Sequence, residues 1–263
     1  MRIATWNVNS VRQRLPHLLD YLGKAAPDVL CLQELKGVDE SFPRAEVEAA
    51  GYHAIVHGQK GFNGVAILTR AALAPAEADV LVRLPGDEAD VQARYLEAVV
   101  RDAGGAVRVA SIYLPNGNPP DTEKYPYKLG FMDRLTRRAA ELLAAEECVV
   151  FAGDYNVIPE PRDVYDAEAW LGDALFLPET RRRFRTLLNL GLTDAVRATT
   201  DAAGLYSFWD YQAGAWQRDK GIRIDHLLLS PRAADRLRSA TIDRHLRAAD
   251  KPSDHVPVRI ELG

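Results

Sequence analysis

Residues 148–156 read CVVFAGDYN, five apolar residues and a glycine followed by an acid, an aromatic and an amide. A short apolar run rich in valine and phenylalanine, closed by Gly, Asp and Asn, is the pattern of a buried strand that ends in polar side chains. Outward from it the pattern recurs in IATWNV (3–8), DVLCLQE (28–34), GVAILT (64–69), LEAVVR (96–101), VRVASIYL (107–114), DHLLLS (225–230) and VPVRIEL (256–262). Helical spacing marks VRQRLPHLLDYLGKA (11–25), YKLGFMDRLTRRAAELLAAEE (127–147) and PETRRRFRTLLNLGL (178–192). In the second of these, Leu129, Met132, Leu135, Leu142 and Leu143 predict an apolar stripe turned to the core. Many strands with few intervening helices suggest an α/β chain with two sheets packed together and helices outside them.

A chain of 263 residues could hold two small domains or one large one, and no Pro/Gly/Ser-rich linker divides it, so a single domain over 1–263 is expected. Hydrophobic content of 47% with 27% charged residues suits a globular chain with an ample core. The N-terminal MRIATWNVNS lacks a signal-peptide pattern and no apolar segment approaches a membrane span, so a soluble, cytoplasmic protein without a membrane partner is expected. No extension precedes the first strand, so no regulatory tail is expected. Cys31 and Cys148 each lie inside a strand-like run and read as buried reduced thiols.

The net charge of −4, from 33 basic and 37 acidic residues, argues against a general polyanion binder. That inference weakens if Glu34, Asp154, Asp225 and Asp254 gather at one metal site, because setting those four aside leaves 33 acidic against 33 basic. Basic residues also cluster, in Arg181, Arg182, Arg183 and Arg185 and in Arg218, Lys220 and Arg223. Such runs are more often a solvated face than a DNA contact.

Polar residues gather at the ends of the strand-like runs. Asn7 and Asn9 follow IATW, Glu34 follows VLCLQ, Tyr113 follows VASI, Asp154 and Asn156 follow VVFAG, and Asp254 and His255 precede VPVRI, whereas Asp225 starts its strand. One polar strand end reads as a turn or cap residue. Several acids and amides at converging ends fit a different need, because phosphodiester hydrolysis uses a hard cation held by oxygen ligands. No His/Cys cluster of zinc spacing, no GxxxxGK[ST] loop and no GxSxG elbow occurs, which disfavours zinc enzymes, nucleotide-hydrolysing motors and serine hydrolases.

The set WNVNS (6–10), LQELK (32–36), GFNGVAILT (61–69), IYLPNG (112–117), GDYNV (153–157), SFWDY (207–211), RIDHLLLS (223–230) and SDHVPV (253–258) resembles the exonuclease III family of apurinic/apyrimidinic endonucleases. The likeness runs in the family's order from residue 3 to about residue 260 and includes LFLPETRRRF (175–184) and LGLTDAVR (190–197). It implies a four-layer α/β sandwich with two central sheets, as in deoxyribonuclease I. It also implies a Mg²⁺-dependent DNA phosphodiesterase, with Mn²⁺ as substitute, that acts as a monomer on abasic sites and 3′ ends of double-stranded DNA.

By the same resemblance Glu34 is the metal-binding acid, supported by Asn7 and Asp254. Asp154 orients and deprotonates the attacking water, with Asn156 beside it, and His255 pairs with Asp225 and offers its other nitrogen to a phosphate oxygen. Tyr113 lies by the scissile phosphate or leaving oxygen and Asn116 holds a phosphate, although Asn116-Gly117 also reads as a plain turn. Phe208, Ile222 and Ile224 line a pocket for a flipped-out abasic sugar. Alternation sets Ile222 and Ile224 on one face and Arg223 on the other, and leaves a plain core role open for the isoleucines. Trp209 reads as a packing residue. Leu35 stands where the family usually has threonine, and Asn9 where some relatives have aspartate. Other phosphoesterases share the fold, so a non-DNA phosphoester is the alternative substrate. A catalytically dead DNA-binding module is the alternative class; every expected site position is filled, which argues against it.

Overall fold

A computed structural model describes all 263 residues of the chain. The strands are β1 (Arg2–Asn7), β2 (Val29–Gln33), β3 (Tyr52–His57), β4 (Val65–Arg70), β5 (Val80–Val82) and β6 (Tyr95–Asp102), then β7 (Gly105–Tyr113), β8 (Val149–Asp154), β9 (Thr193–Asp194), β10 (Asp225–Leu229), β11 (Leu237–Ile242) and β12 (Val258–Leu262). They form two six-stranded sheets, in the orders β11-β12-β1-β2-β4-β3 and β5-β6-β7-β8-β10-β9. The helices are α1 (Leu15–Lys24), α2 (Arg44–Ala49), α3 (Lys124–Ala144), α4 (Pro178–Asn189), α5 (Ala195–Thr199) and α6 (Pro231–Ala234).

The alternation of a strand sorts each sheet's residues between two faces. β1 sends Ile3 between the sheets and Ala4 and Trp6 outward, and β8 sends Val150 and Ala152 inward and Val149 and Phe151 outward. The inner faces meet in one apolar cluster. On the outer side of the first sheet Leu18 and Leu22 of α1 and Val47 of α2 cover it, and α3 and α4 cover the second sheet with Phe131, Leu135 and Phe184. The result is the four-layer α/β sandwich expected from the sequence.

The eight expected strand runs are all present, and four further strands join them. Those four, β3, β5, β9 and β11, are the edge strands of the two sheets. Edge strands are partly solvated, and β5 and β9 span only three and two residues, so their apolar pattern is faint. The α3 stripe is shifted from expectation: Phe131, Met132, Leu135, Ala139 and Leu142 are buried, with Leu129 and Leu143 only half-buried at its margins. Both cysteines are free, Cys31 buried as expected but Cys148 partly exposed just before β8. No helix is long and apolar enough to cross a membrane.

Phe151 is 1% exposed between the second sheet and α3 and α4. Phe151→Ala is expected to cost roughly 3–5 kcal/mol, the range for an aromatic removed from a closed core. Urea unfolding measures it, and a midpoint that scarcely moves would show that this helix–sheet layer is loosely filled.

Candidate active site

Strand direction explains where the polar residues gather. β7 and β8 run parallel with Tyr113 opposite Asp154, and β10 runs antiparallel to β8 with Asp225 opposite Asp154. Two strand ends and one strand start therefore share an edge. In the first sheet β1 and β2 are parallel with Asn7 opposite Gln33, so Glu34 leaves its sheet beside Asn7. Gly153 permits the close approach of β7, since a Cβ there would lie 2.0 Å from Ile112 O. Glu34 and Asn156 hold φ of +54° and +48°, left-handed conformations that cost energy and recur at functional sites.

Hydrogen bonds join the two sheet edges. Asn7 Nδ2 donates to Glu34 Oε1 (2.9 Å) and to Asp154 Oδ2 (3.0 Å), and Tyr113 OH donates to Glu34 Oε1 (2.9 Å). Lys36 Nζ lies 3.0 Å from Glu34 Oε2 and also reaches Asn9. The backbone N–H of Asn156 donates to Asp154 Oδ1 (2.9 Å), while Asn116 Nδ2 donates to Asn156 Oδ1 (3.1 Å). His255 Nδ1 stands 2.9 Å from Asp225 Oδ2, and its Nε2 lies 3.7 Å from Asp154 Oδ2. Ser207 Oγ donates to the same Asp225 oxygen (2.6 Å).

These contacts divide the charges. Burial opposes ionisation of Glu34, but the Asn7 hydrogen bond and the Lys36 charge hold its carboxyl below the usual range. Burial pushes Asp154 up to about 7, with the His255 charge opposing and Asp225 adding to it. Burial also disfavours a charged His255, yet Asp225 and Asp154 outweigh it and raise the imidazole to about 10. Burial first, then the neighbouring Glu34 and Asp154, keeps the Tyr113 phenol protonated. The site thus holds an ionised Glu34, an Asp154 that changes charge near neutrality and an imidazolium at His255.

Glu34, Asp154 and His255 each present a ligand-type atom within 4.8 Å of one another. A charged imidazole does not bind a cation, so the donors are carboxylate oxygens, a set that fits a hard divalent ion and not a thiophilic one. Asp254 stands outside that group, its Oδ1 accepting from Asn9 Nδ2 at 3.0 Å. The amide nitrogen of Asn7 faces both carboxylates, which makes it the bridge between the sheets at this point.

One cavity of about 260 Å³ collects the expected residues, of which only Asn7 and Asp225 lie behind its wall. Its apolar side is Trp170, Leu175, Phe208, Ile222 and Ile224, backed by Val164 and Phe176. The isoleucines are therefore both core and wall. Phe208 meets His255 edge to face, ring centroids 4.9 Å apart. Trp209 is fully buried, as a packing residue should be.

Sequence reasoning missed Lys36, Ser207 and Lys128, and the wall residues Asn118, Trp170, Asp173, Leu175 and Asp210. Of these, Lys36 lay inside LQELK, Ser207 and Asp210 inside SFWDY, and Leu175 inside LFLPETRRRF. The basic runs are largely the solvated surface expected, with Arg182, Arg185, Arg218 and Lys220 exposed and Arg181 and Arg183 half-buried, and Arg223 is the departure. Arg223 is buried and paired with Asp163 and Asp194, and Arg183 pairs with Asp133 and Glu179. Arg218 and Lys220 border an adjoining cavity of about 300 Å³ that shares Phe208 and Ile222 with the site.

Residues 4–255 match the family described as endonuclease/exonuclease/phosphatase. The chain belongs to that family. Its exonuclease III-like motifs agree with a similarity to exodeoxyribonuclease III of Haemophilus influenzae, 35% identical over 272 residues and covering 100% of both chains. Two solved structures share the fold of this family member. A 3′ phosphatase from Neisseria bound to a product DNA hairpin superposes with a TM-score of 0.92 at 37% identity, covering 100% of this chain and 99% of that one. An AP endonuclease from Archaeoglobus fulgidus gives 0.90 at 35% identity with the same coverage, 100% and 99%.

Proposed function

We propose that the protein is a Mg²⁺-dependent phosphodiesterase of base-excision repair that cleaves double-stranded DNA at abasic sites and removes nucleotides or blocking groups from 3′ ends. One observation carries this reading: the carboxylates and the imidazolium open onto the apolar wall of Phe208, Ile222 and Ile224 inside a single cavity. A phosphodiester and a base-less sugar are held side by side in such a space. The DNA-directed names of the relatives support it, and we read residues 1–263 as one catalytic domain, monomeric and cytoplasmic.

In this reading Glu34 holds the cation, with Asn7 behind it and Asp254 at the rim. Bound there, Mg²⁺, or Mn²⁺ in its place, supplies neutralisation of the charge that builds on the phosphate. Asp154 takes the proton of the attacking water, and Asn156 orients that water or a phosphate oxygen. His255, kept charged by Asp225, donates from Nε2 to a phosphate oxygen. Tyr113 sits by the leaving oxygen, Asn116 holds a phosphate, and Phe208, Ile222 and Ile224 receive the sugar.

The test is cleavage of a labelled duplex with one abasic-site analogue, beside an intact duplex and a recessed 3′ end. Activity is expected to vanish in chelator and to return with Mg²⁺ or Mn²⁺ but not specifically with Zn²⁺; full activity in excess chelator refutes the cation. Glu34→Ala should need more Mg²⁺ for half-maximal rate and keep the parent's fold, while losing the hydrogen bonds from Asn7 and Tyr113. An unchanged Mg²⁺ requirement would remove Glu34 from its assigned place.

A further inference from the structure

Lys128 lies on the face of α3 turned to the second sheet and is 0% exposed, yet no carboxylate pairs with it. Its Nζ donates to Pro115 O (3.2 Å), Asn116 O (3.0 Å) and Asn156 O (2.6 Å), which uses all three ammonium protons. Those carbonyls belong to two separate loops, one following β7 and one following β8. The same loops carry the side chains of Asn116 and Asn156, which bond each other, and Asn156 Nδ2 also donates to Leu114 O (2.9 Å). Gly117, at φ +88°, passes so near that a Cβ would lie 2.7 Å from Lys128 Cδ.

Desolvation pulls the ammonium down to about 7, with Asp154 and Asp173 opposing and Arg94 assisting. A desolvated ammonium is expensive to keep, and an apolar side chain would fill the same space without that cost. What an apolar side chain cannot do is bind the two loops to each other.

We propose that Lys128 is a positioning residue of the phosphate site, its ammonium tying the backbones at 115–116 and 156 into one cradle that fixes Asn116 and Asn156 for the reaction. It acts through these asparagines and does not touch DNA. This rests on the function proposed above, so its test has one arm that is independent of activity.

That arm is hydrogen exchange on Lys128→Met: the segments 114–118 and 155–158 should exchange faster while the sheets stay protected. The second arm is kinetic. For the abasic-site duplex kcat should fall about tenfold to a hundredfold, with KM within about threefold, as for misplaced groups that act in the transition state. Combined with Asn156→Ala, the double variant should be scarcely slower than Asn156→Ala alone, because the two changes remove one function. Unchanged exchange, or kinetic losses that multiply, overturns the proposal. If the parent itself leaves the abasic-site duplex uncut, the proposed function fails, while faster exchange in the two segments still supports the tie and unchanged exchange refutes it. Should Lys128→Met not fold, Gly117→Ala, which presses on the Lys128 stem, should give the same exchange and kcat changes; parent-like behaviour there counts against the tie.

Discussion

Asp154→Asn is expected to lower the single-turnover rate on an abasic-site duplex by roughly 10²–10⁴-fold, the usual worth of general-base catalysis, while DNA binding survives. Asp154 is 1% exposed, and its oxygens accept from Asn7 Nδ2 at 3.0 Å and from the Asn156 N–H at 2.9 Å. Asparagine keeps the shape and one acceptor oxygen but cannot take a proton. Because burial lifts the carboxyl to about 7, it is a competent base near neutrality and an idle one below it. The parent's rate should accordingly rise as pH increases through this range, with the rise moved to lower pH by a bound cation, which favours the carboxylate. Asp154→Asn should lose that limb of the profile. Near-normal rates with an unchanged profile would show that another group takes the proton.

The reason Asp154 was readable lies in the direction of its strand. Sheet-interior strands covered on both faces appear as unbroken apolar runs, and their polar punctuation stands out; Glu34, Tyr113 and Asp154 were legible this way. Asp225 looked misplaced at the start of a strand until the antiparallel pairing of β10 with β8 set it opposite Asp154. The four edge strands left no comparable trace, and β11 reads LRSATI with none of its residues buried. Lys128 was illegible for another cause: at the margin of an amphipathic stripe a lysine reads as solvent-facing, and only three carbonyls distant in sequence show otherwise. Arg223 carried the clue that was not used. The alternation that put Ile222 and Ile224 on the cavity side required Arg223 to point the other way, where Asp163 and Asp194 hold it buried.

His255→Asn should slow the same reaction by about 10²–10³-fold, as for the loss of one oriented donor to a developing oxyanion. The expectation rests on charge. Asp225 Oδ2 at 2.9 Å and Asp154 Oδ2 at 3.7 Å hold the imidazole protonated up to about 10 despite its burial. An asparagine can donate but carries no positive charge. Since the raised value means that the proton stays through neutrality, the parent's rate should persist to about pH 10 and decline above it, and His255→Asn should lack that decline. The sign for stability is the same: a histidine raised above its unfolded value of about 6.5 stabilises fully below that pH and loses the contribution as pH climbs through about 10. The variant should therefore melt lower than the parent near pH 6, all the more because a neutral amide would replace the imidazolium beside the buried Asp225, whose Oδ1 has no partner. Rates are best compared well below both melting points. If Asp154 and His255 serve one step, the variant carrying both changes will be slower than the parent but far from the product of the two losses. A rate for His255→Asn within threefold of the parent at pH 7 would show that the imidazolium is held for the fold alone.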